Sequence, residues 1–221
     1  NTLYNNTTAD AIVLSGAHNT TLQDIRVEKA WIGVMDLDTV VSIRNKYYSV
    51  NADSVYHAGF VIRSGTSNFF SDISVANNRI SPSIEAGILL FNQEAATLDH
   101  VRVTAVRVKY PLLLDTCTGA TVSSVVIQDI VPLALGADLI GGVIHWRNST
   151  TGTLTGVVLS GIDLSTTITT ATKIKMFATN GGSDLDITDL TVSNTRNKNI
   201  TTQTVVLVGP STSTAAANRG S

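Results

Sequence analysis

Gly87-Ile88-Leu89-Leu90-Phe91 and, a few residues on, Leu98-Asp99-His100-Val101-Arg102-Val103 form one unit of a pattern that runs along almost the whole chain. The second half is a frame with apolar residues at its first, fourth and sixth places. It recurs as Leu22-Ile25-Val27, Phe70-Ile73-Val75, Val122-Val125-Ile127, Leu154-Val157-Leu159 and Ile187-Leu190-Val192, with a weaker copy at Asn45-Tyr48-Val50. The first half is a short apolar strand, usually opened by glycine. Its copies start at Ala11, Gly33, Gly59, Gly87, Pro111 and Gly142, each 11 or 12 residues before the first member of its frame. Self-similarity at a period of about 20 to 50 residues marks a solenoid, whose units bury their apolar faces only by stacking on one another. Two strands at fixed offset, joined by Ser, Thr, Asn and Gly, predict one coil of a parallel β-helix. The connections after Tyr48, Val75, Ile127 and Leu159 vary in length and are expected along one edge.

The 221 residues are 43% hydrophobic and only 14% charged, with a net charge of −2. β-branched residues suit a pleated surface, while Asn, Gly and Ser turn its corners. An unbroken repeat argues for one domain, placed at residues 1–208, with residues 209–221 as a carboxy-terminal extension or linker without core pattern. No apolar run is long enough to cross a bilayer, and no basic patch marks a nucleic-acid or membrane surface, so neither partner is expected. Cys117, the single cysteine, is expected as a small core residue. A start at Asn1 without methionine suggests a processed protein or a piece of a longer one. Asn5, Asn6, Asn19, Asn148 and Asn199 sit in glycosylation sequons, as chance gives in so Asn- and Thr-rich a chain.

Within the frame the intervening residues Arg26, Ser74, Arg102 and Thr191 are polar, so one face is buried and the other wet. The upstream strands are apolar at successive residues. Alternate side chains must point out of the coil, and whichever of the two alternating sets does so, the row of Met35, Val61, Leu89, Leu113 and Ile144 or the set between, the outward row is apolar. Stacked about 4.8 Å apart, such residues make a continuous stripe that asks for a cover. A closed symmetric oligomer would supply one, and a homotrimer of side-by-side solenoids is expected.

The coil pattern, the Asn/Thr/Ser-rich corners and the outward stripe, over roughly residues 10 to 208, resemble right-handed parallel β-helix proteins of the pectin-lyase-like kind. Among these the chain resembles bacteriophage tailspikes and tail fibres. The resemblance implies an all-β, single-stranded, right-handed parallel β-helix of about 7–8 coils. It also implies a homotrimer in the virion tail, or extracellular, that binds a bacterial surface polysaccharide or binds and depolymerises it. No cluster matches the calcium site of pectate lyases, so no metal and no cofactor are expected.

Asp24, Asp72 and Asp189 each stand just before the central apolar residue of a frame. Recurrence at one repeat position points to corner residues with Asx-type bonds to nearby backbone rather than to catalysis. Asp36, Asp38, Glu94, Asp99 and Asp115 fall outside that position. Counting from the opening residues stacks Arg63, Phe91, Asp115 and Trp146 in one row, with Ser64, Asn92, Thr116 and Arg147 beside it. Aromatic faces pack on sugar rings while guanidinium and carboxylate groups bond their hydroxyls, so Arg63, Phe91, Trp146 and Arg147 are the carbohydrate-binding candidates. Glycoside hydrolysis needs two carboxyl groups about 5 to 9.5 Å apart, and Glu94 with Asp115 is the best pair. A lyase would instead draw on Arg63, Lys109, Tyr110 and Arg147. His145, counted into the column of Asp36, Ile62, Leu90 and Leu114, is expected in the core. Three functions follow: a tailspike-like recognition module, a secreted polysaccharide lyase or glycoside hydrolase, and a fragment of a cell-surface adhesin.

Overall fold

The computed structural model describes residues 2–3, 9–37, 41–76, 86–104, 110–130, 142–162, 173–180, 185–194 and 204–210. Among these the regular elements are strands, and every strand pairing is parallel. The sheet built from the frames runs β1 (Thr2–Leu3), β3 (Thr21–Glu28), β6 (Lys46–Asp53), β8 (Phe69–Ala76), β10 (Thr97–Thr104), β12 (Ala120–Gln128), β14 (Gly152–Ser160), β16 (Leu185–Ser193). The sheet built from the upstream strands runs β2 (Ile12–Ser15), β4 (Ile32–Leu37), β7 (Ala58–Thr66), β9 (Ala86–Glu94), β11 (Tyr110–Asp115), β13 (Gly142–Arg147), β15 (Lys173–Asn180), β17 (Thr204–Pro210). The short β5 (Ser42–Ile43) pairs with the end of β7. The chain alternates between the two sheets, so each coil adds one strand to each, and the result is a parallel β-solenoid.

One core fills the space between the sheets and runs without a break from Val27 to Ile187. The upstream sheet contributes the column Val34, Phe60, Ile88, Leu112, Ile144, and the frames contribute Val50, Ile73, Val101, Val125, Val157, all buried. A fully buried Val, Leu, Ile or Phe contributes about 1.5–3 kcal/mol relative to an exposed one, so continuity of these columns is what holds the stack.

Turning the corners requires left-handed backbone, and it recurs in four sets, one per corner. Asp24, Asp72 and Asp189 have φ of 53°, 55° and 54°, in the same place as Ser49, His100, Ser124 and Gly156. The corner role expected of these aspartates therefore holds, for a conformational reason: Asp and Asn tolerate this region better than most residues. The carboxylates of Asp24 and Asp72 bond side chains rather than the expected backbone groups, Asp24 accepting from Gln23 Nε2 (3.1 Å) and Asp72 from Ser71 Oγ (3.3 Å).

The register corrects two sequence alignments. The weak frame is Tyr47-Val50-Ala52, because Tyr47 pairs with Leu22 and Phe70, and the rings of Tyr47 and Phe70 stack at 4.6 Å. β6 runs through Tyr48 uninterrupted, so no insertion follows that residue. The second correction concerns Gly142, which lies one position before the glycines that open the earlier strands. Leu114 pairs with Trp146 and Asp115 with Arg147, so every residue of β13 shifts by one place from the expected row. Trp146 is consequently inward and fully buried, and His145, not Ile144, joins Met35, Val61, Leu89 and Leu113 on the outer side.

That outer column does not wait for a partner. Val61, Leu113 and His145 are at most 3% exposed in the single chain. Val61 packs with Ile32, Ala58, Trp31, Met35 and Leu89, and Leu113 with Ala86, Tyr110 and Leu89. Among the described residues of the column Met35 and Leu89 are partly exposed, and Val13, at the amino-terminal end, is the most open. The stripe is thus covered within the single chain at Val61, Leu113 and His145 and partly exposed at Met35 and Leu89. The longer connections expected after Val75, Ile127 and Leu159, and the terminal residues 211–221, lie outside the described residues.

Candidate functional site: a polar cleft at a solenoid corner

Just beyond Arg63, Phe91, Asp115 and Arg147 the chain bends at a left-handed residue in each of these four coils: Ser64, Asn92, Thr116 and Asn148. Three successive coils then present the same two exits, a row of Ser64, Asn92 and Thr116 and a second row of Thr66, Glu94 and Thr118. The second row is held in register, Thr66 pairing with Glu94 and Glu94 bridging to Thr118. Between and beside these rows lies a cleft of about 330 Å³, with Gly65 and Gln93 in its floor and Val41 at its rim.

The floor is rigid because it rests on buried amides. Asn68 Nδ2 donates to Gln93 Oε1 (3.0 Å), Asn68 Oδ1 accepts from the backbone N–H of Asn45 (2.9 Å), and Asn45 Nδ2 donates to the Ala17 carbonyl (2.9 Å). All three side chains are about 1% exposed and hydrogen-bonded, which is the condition for burying amides without a desolvation penalty. Gly65 is required here, since a Cβ would lie 2.2 Å from Asn68 Nδ2 and 2.6 Å from Gln93 Oε1.

The row beside the cleft is Arg63, Phe91, Asp115 and Arg147, by direct pairing of neighbouring strands. Arg147 replaces Trp146 in it, and Asn148 takes the flanking place expected of Arg147. Arg147 Nη2 lies 2.7 Å from Asp115 Oδ2, and Thr116 Oγ1 donates to Asp115 Oδ1 at 3.2 Å. Asp115 is 5% exposed and spends its charge on this pair. Glu94, in contrast, is exposed in the cleft. Glu94 and Asp115 thus stand in neighbouring coils, one open to the cleft and the other ion-paired beside it.

The remaining candidates lie elsewhere. Asp99 is on the frame sheet, where Ser123 Oγ donates to it (2.8 Å) and His100 Nδ1 stands 2.8 Å away; these hydrogen bonds hold its carboxyl below the usual range. Asp36 is inside the solenoid, next to the Tyr47 hydroxyl, and burial raises its carboxyl pKa. Tyr110 packs its ring against His145 at 5.2 Å on the outer side of the upstream sheet, away from the lyase role considered for it. Asp38 and Lys109 are outside the described residues. Among the described residues no three His, Cys, Asp or Glu side chains gather as a metal site. Thr66 and Thr118 were legible but not picked out: each lies as far beyond Gly59 or Pro111 as Glu94 lies beyond Gly87.

No protein-family model and no curated protein matches the chain. Solved structures give distant likenesses. A catalytic domain of GH87 alpha-1,3-glucanase in complex with nigerose is similar over 88% of this chain and 49% of its own, with 10% identity and a TM-score of 0.33. A variant of such a domain in complex with tetrasaccharides gives 11% identity and a TM-score of 0.24 over the same shares. QnrB1, a plasmid-mediated fluoroquinolone resistance protein, gives 8% identity and a TM-score of 0.17 over 92% of this chain and 91% of its own. This chain spans about half the length of the glucanase domains, and scores this low lend it no neighbour's activity.

Proposed function

We propose that the protein is a glycan-recognition module whose corner cleft binds a bacterial surface polysaccharide. The observation that carries this reading is the cleft of about 330 Å³, where three coils present hydroxyl, amide and carboxylate groups in two registered rows. Sugars offer hydroxyls at regular intervals, and a rigid ladder of short polar side chains meets them with little entropy left to lose. The Phe91 ring and the Arg147–Asp115 pair border this ladder and supply an apolar face and a fixed charge pair beside it. The finer assignment, to a trimeric tailspike or tail fibre in the virion tail, rests on the resemblance of the coil pattern alone, and the sequence flanking this chain in its gene tests it.

Asn92 supplies the decisive variant. Its left-handed backbone, φ 51°, is kept by Asn92→Gly while the amide is removed. On an array of bacterial surface polysaccharides the wild type should bind a restricted set, and Asn92→Gly should weaken that binding on the order of tenfold, about 1.4 kcal/mol, with thermal stability retained. Uniform non-binding by the wild type, or binding indifferent to Asn92→Gly, overturns the proposal.

A further inference from the structure

We infer that the cleft at Glu94 is one half of a longer groove that continues around the corner onto the frame sheet and takes a linear neutral polysaccharide. This inference rests on the glycan reading proposed above. A second hollow, of about 310 Å³, is lined by Gly119, Thr121, Thr151, Gly152, Thr153 and Asp186. Thr121 pairs with Thr153 and Thr153 with Asp186, so three coils line this hollow, the coil of β11 and β12 that it shares with the first and two beyond it.

The two hollows meet in the coil of β11 and β12. Thr116 and Thr118 line the first, and Gly119, the next residue, lines the second. Their shared rim is tied together: Thr150 Oγ1 donates to Thr118 Oγ1 at 3.1 Å, and the N–H of Gly119 donates to the Thr151 carbonyl at 2.7 Å. Nothing stands over Gly119, where an added Cβ would find no atom within 4 Å. The joined path therefore climbs from the coil of β7 to the coil of β16 as it rounds the corner, across five coils and four steps of about 4.8 Å each. Apart from Val41 at the rim of the first, the described lining of neither hollow extends beyond three coils. A polymer, and not a single sugar, matches that reach.

Charge narrows the class. The charged lining residues described are Glu94 in the first hollow and Asp186 in the second, both exposed carboxylates, and no described lining residue is cationic. A polymer of uronic acids would meet like charge in each half, whereas neutral sugars meet hydroxyls and two acceptors.

Length dependence tests the groove. Linear glucan, mannan, galactan and N-acetylglucosamine oligomers, from disaccharides to octasaccharides, are titrated against wild type and against Thr153→Arg and Thr121→Arg. Both substitutions are on exposed strand positions of the second hollow. For a series that binds, affinity should rise on the order of tenfold or more between short and long members, because the second half is engaged by a chain already held in the first. Either arginine should remove that rise and leave the short members unaffected. Affinity that is flat with length, or equal losses for short and long members, overturns the groove while leaving glycan binding intact. Oligogalacturonides binding as tightly as the neutral series overturn the ligand class, and no binding by any oligomer counts against the glycan reading together with this one.

Discussion

Asp36 occupies an inward column between Leu14 and Ile62, where other coils place Leu90, Leu114 and Trp146. Burial raises its pKa above 3.8, against a partial offset from the Ser42 and Tyr47 hydroxyls, and Oδ1 has no hydrogen-bond partner. The folded state therefore keeps a proton that the unfolded chain loses above its own carboxylate pKa. Stability contributed by that proton is intact at low pH and is lost as pH rises through the raised folded value. Asp36→Asn, which cannot ionise, should stabilise the protein by about 2 kcal/mol at neutral pH, the scale of an unsatisfied buried charge, with the gain fading as pH falls through the raised folded value and gone below about pH 4. Denaturant titrations of both proteins across this range check it, and a difference that does not change with pH defeats the assignment. The sequence shows Asp36 as a carboxylate outside the corner positions, but not that it faces inward. The corner aspartates were legible because recurrence reports backbone conformation, whereas a lone inward carboxylate breaks the pattern that would locate it.

For the strands, the limit of sequence reading is register. Parallel solenoid strands alternate inward and outward residues, so a slip of one place exchanges core for surface. Gly33, Gly59 and Gly87 mark a true column: a Cβ on Gly59 would lie 2.4 Å from Val75 Cγ2, and one on Gly33 2.5 Å from the Gly59 carbonyl oxygen. Gly142 mimics that mark one residue early, since Leu112 pairs with Ile144 and the glycine column therefore passes through Val143, and this alone misplaces Trp146, Arg147 and His145. Two candidate residues, Arg63 and Phe91, needed no correction because their coils open with true column glycines. The inward position of Trp146 is testable through Gly152, where a Cβ would stand 2.3 Å from Trp146 Cζ2. Gly152→Ala should cost about 2 kcal/mol by overpacking, and much less once Trp146→Leu has removed the ring. Additive effects in this double-mutant cycle would mean that the indole does not lie over Gly152.

At the scale of the whole molecule, each coil touches only its neighbours, so stability is a sum of coil and interface terms and the ends open before the middle. The corner cleft, built on β7, β9 and β11, belongs to the interior of the stack, where coils on both sides hold its rows in register. Cys117 reports on that interior. Its side chain is fully buried, its N–H donates to Ser149 Oγ (2.9 Å), and burial pushes its thiol up to about 11. Reaction with a thiol reagent near pH 8 thus requires the coil around it to open, since both access and thiolate are withheld in the folded state. In increasing denaturant the strand signal in circular dichroism should begin to fall before Cys117 becomes reactive, because terminal coils contribute to the first and not to the second. Labelling that coincides with the loss of strand signal would show instead that the stack unfolds as one unit. Labelling that precedes it would show that the interior around the cleft is the weak point of the solenoid.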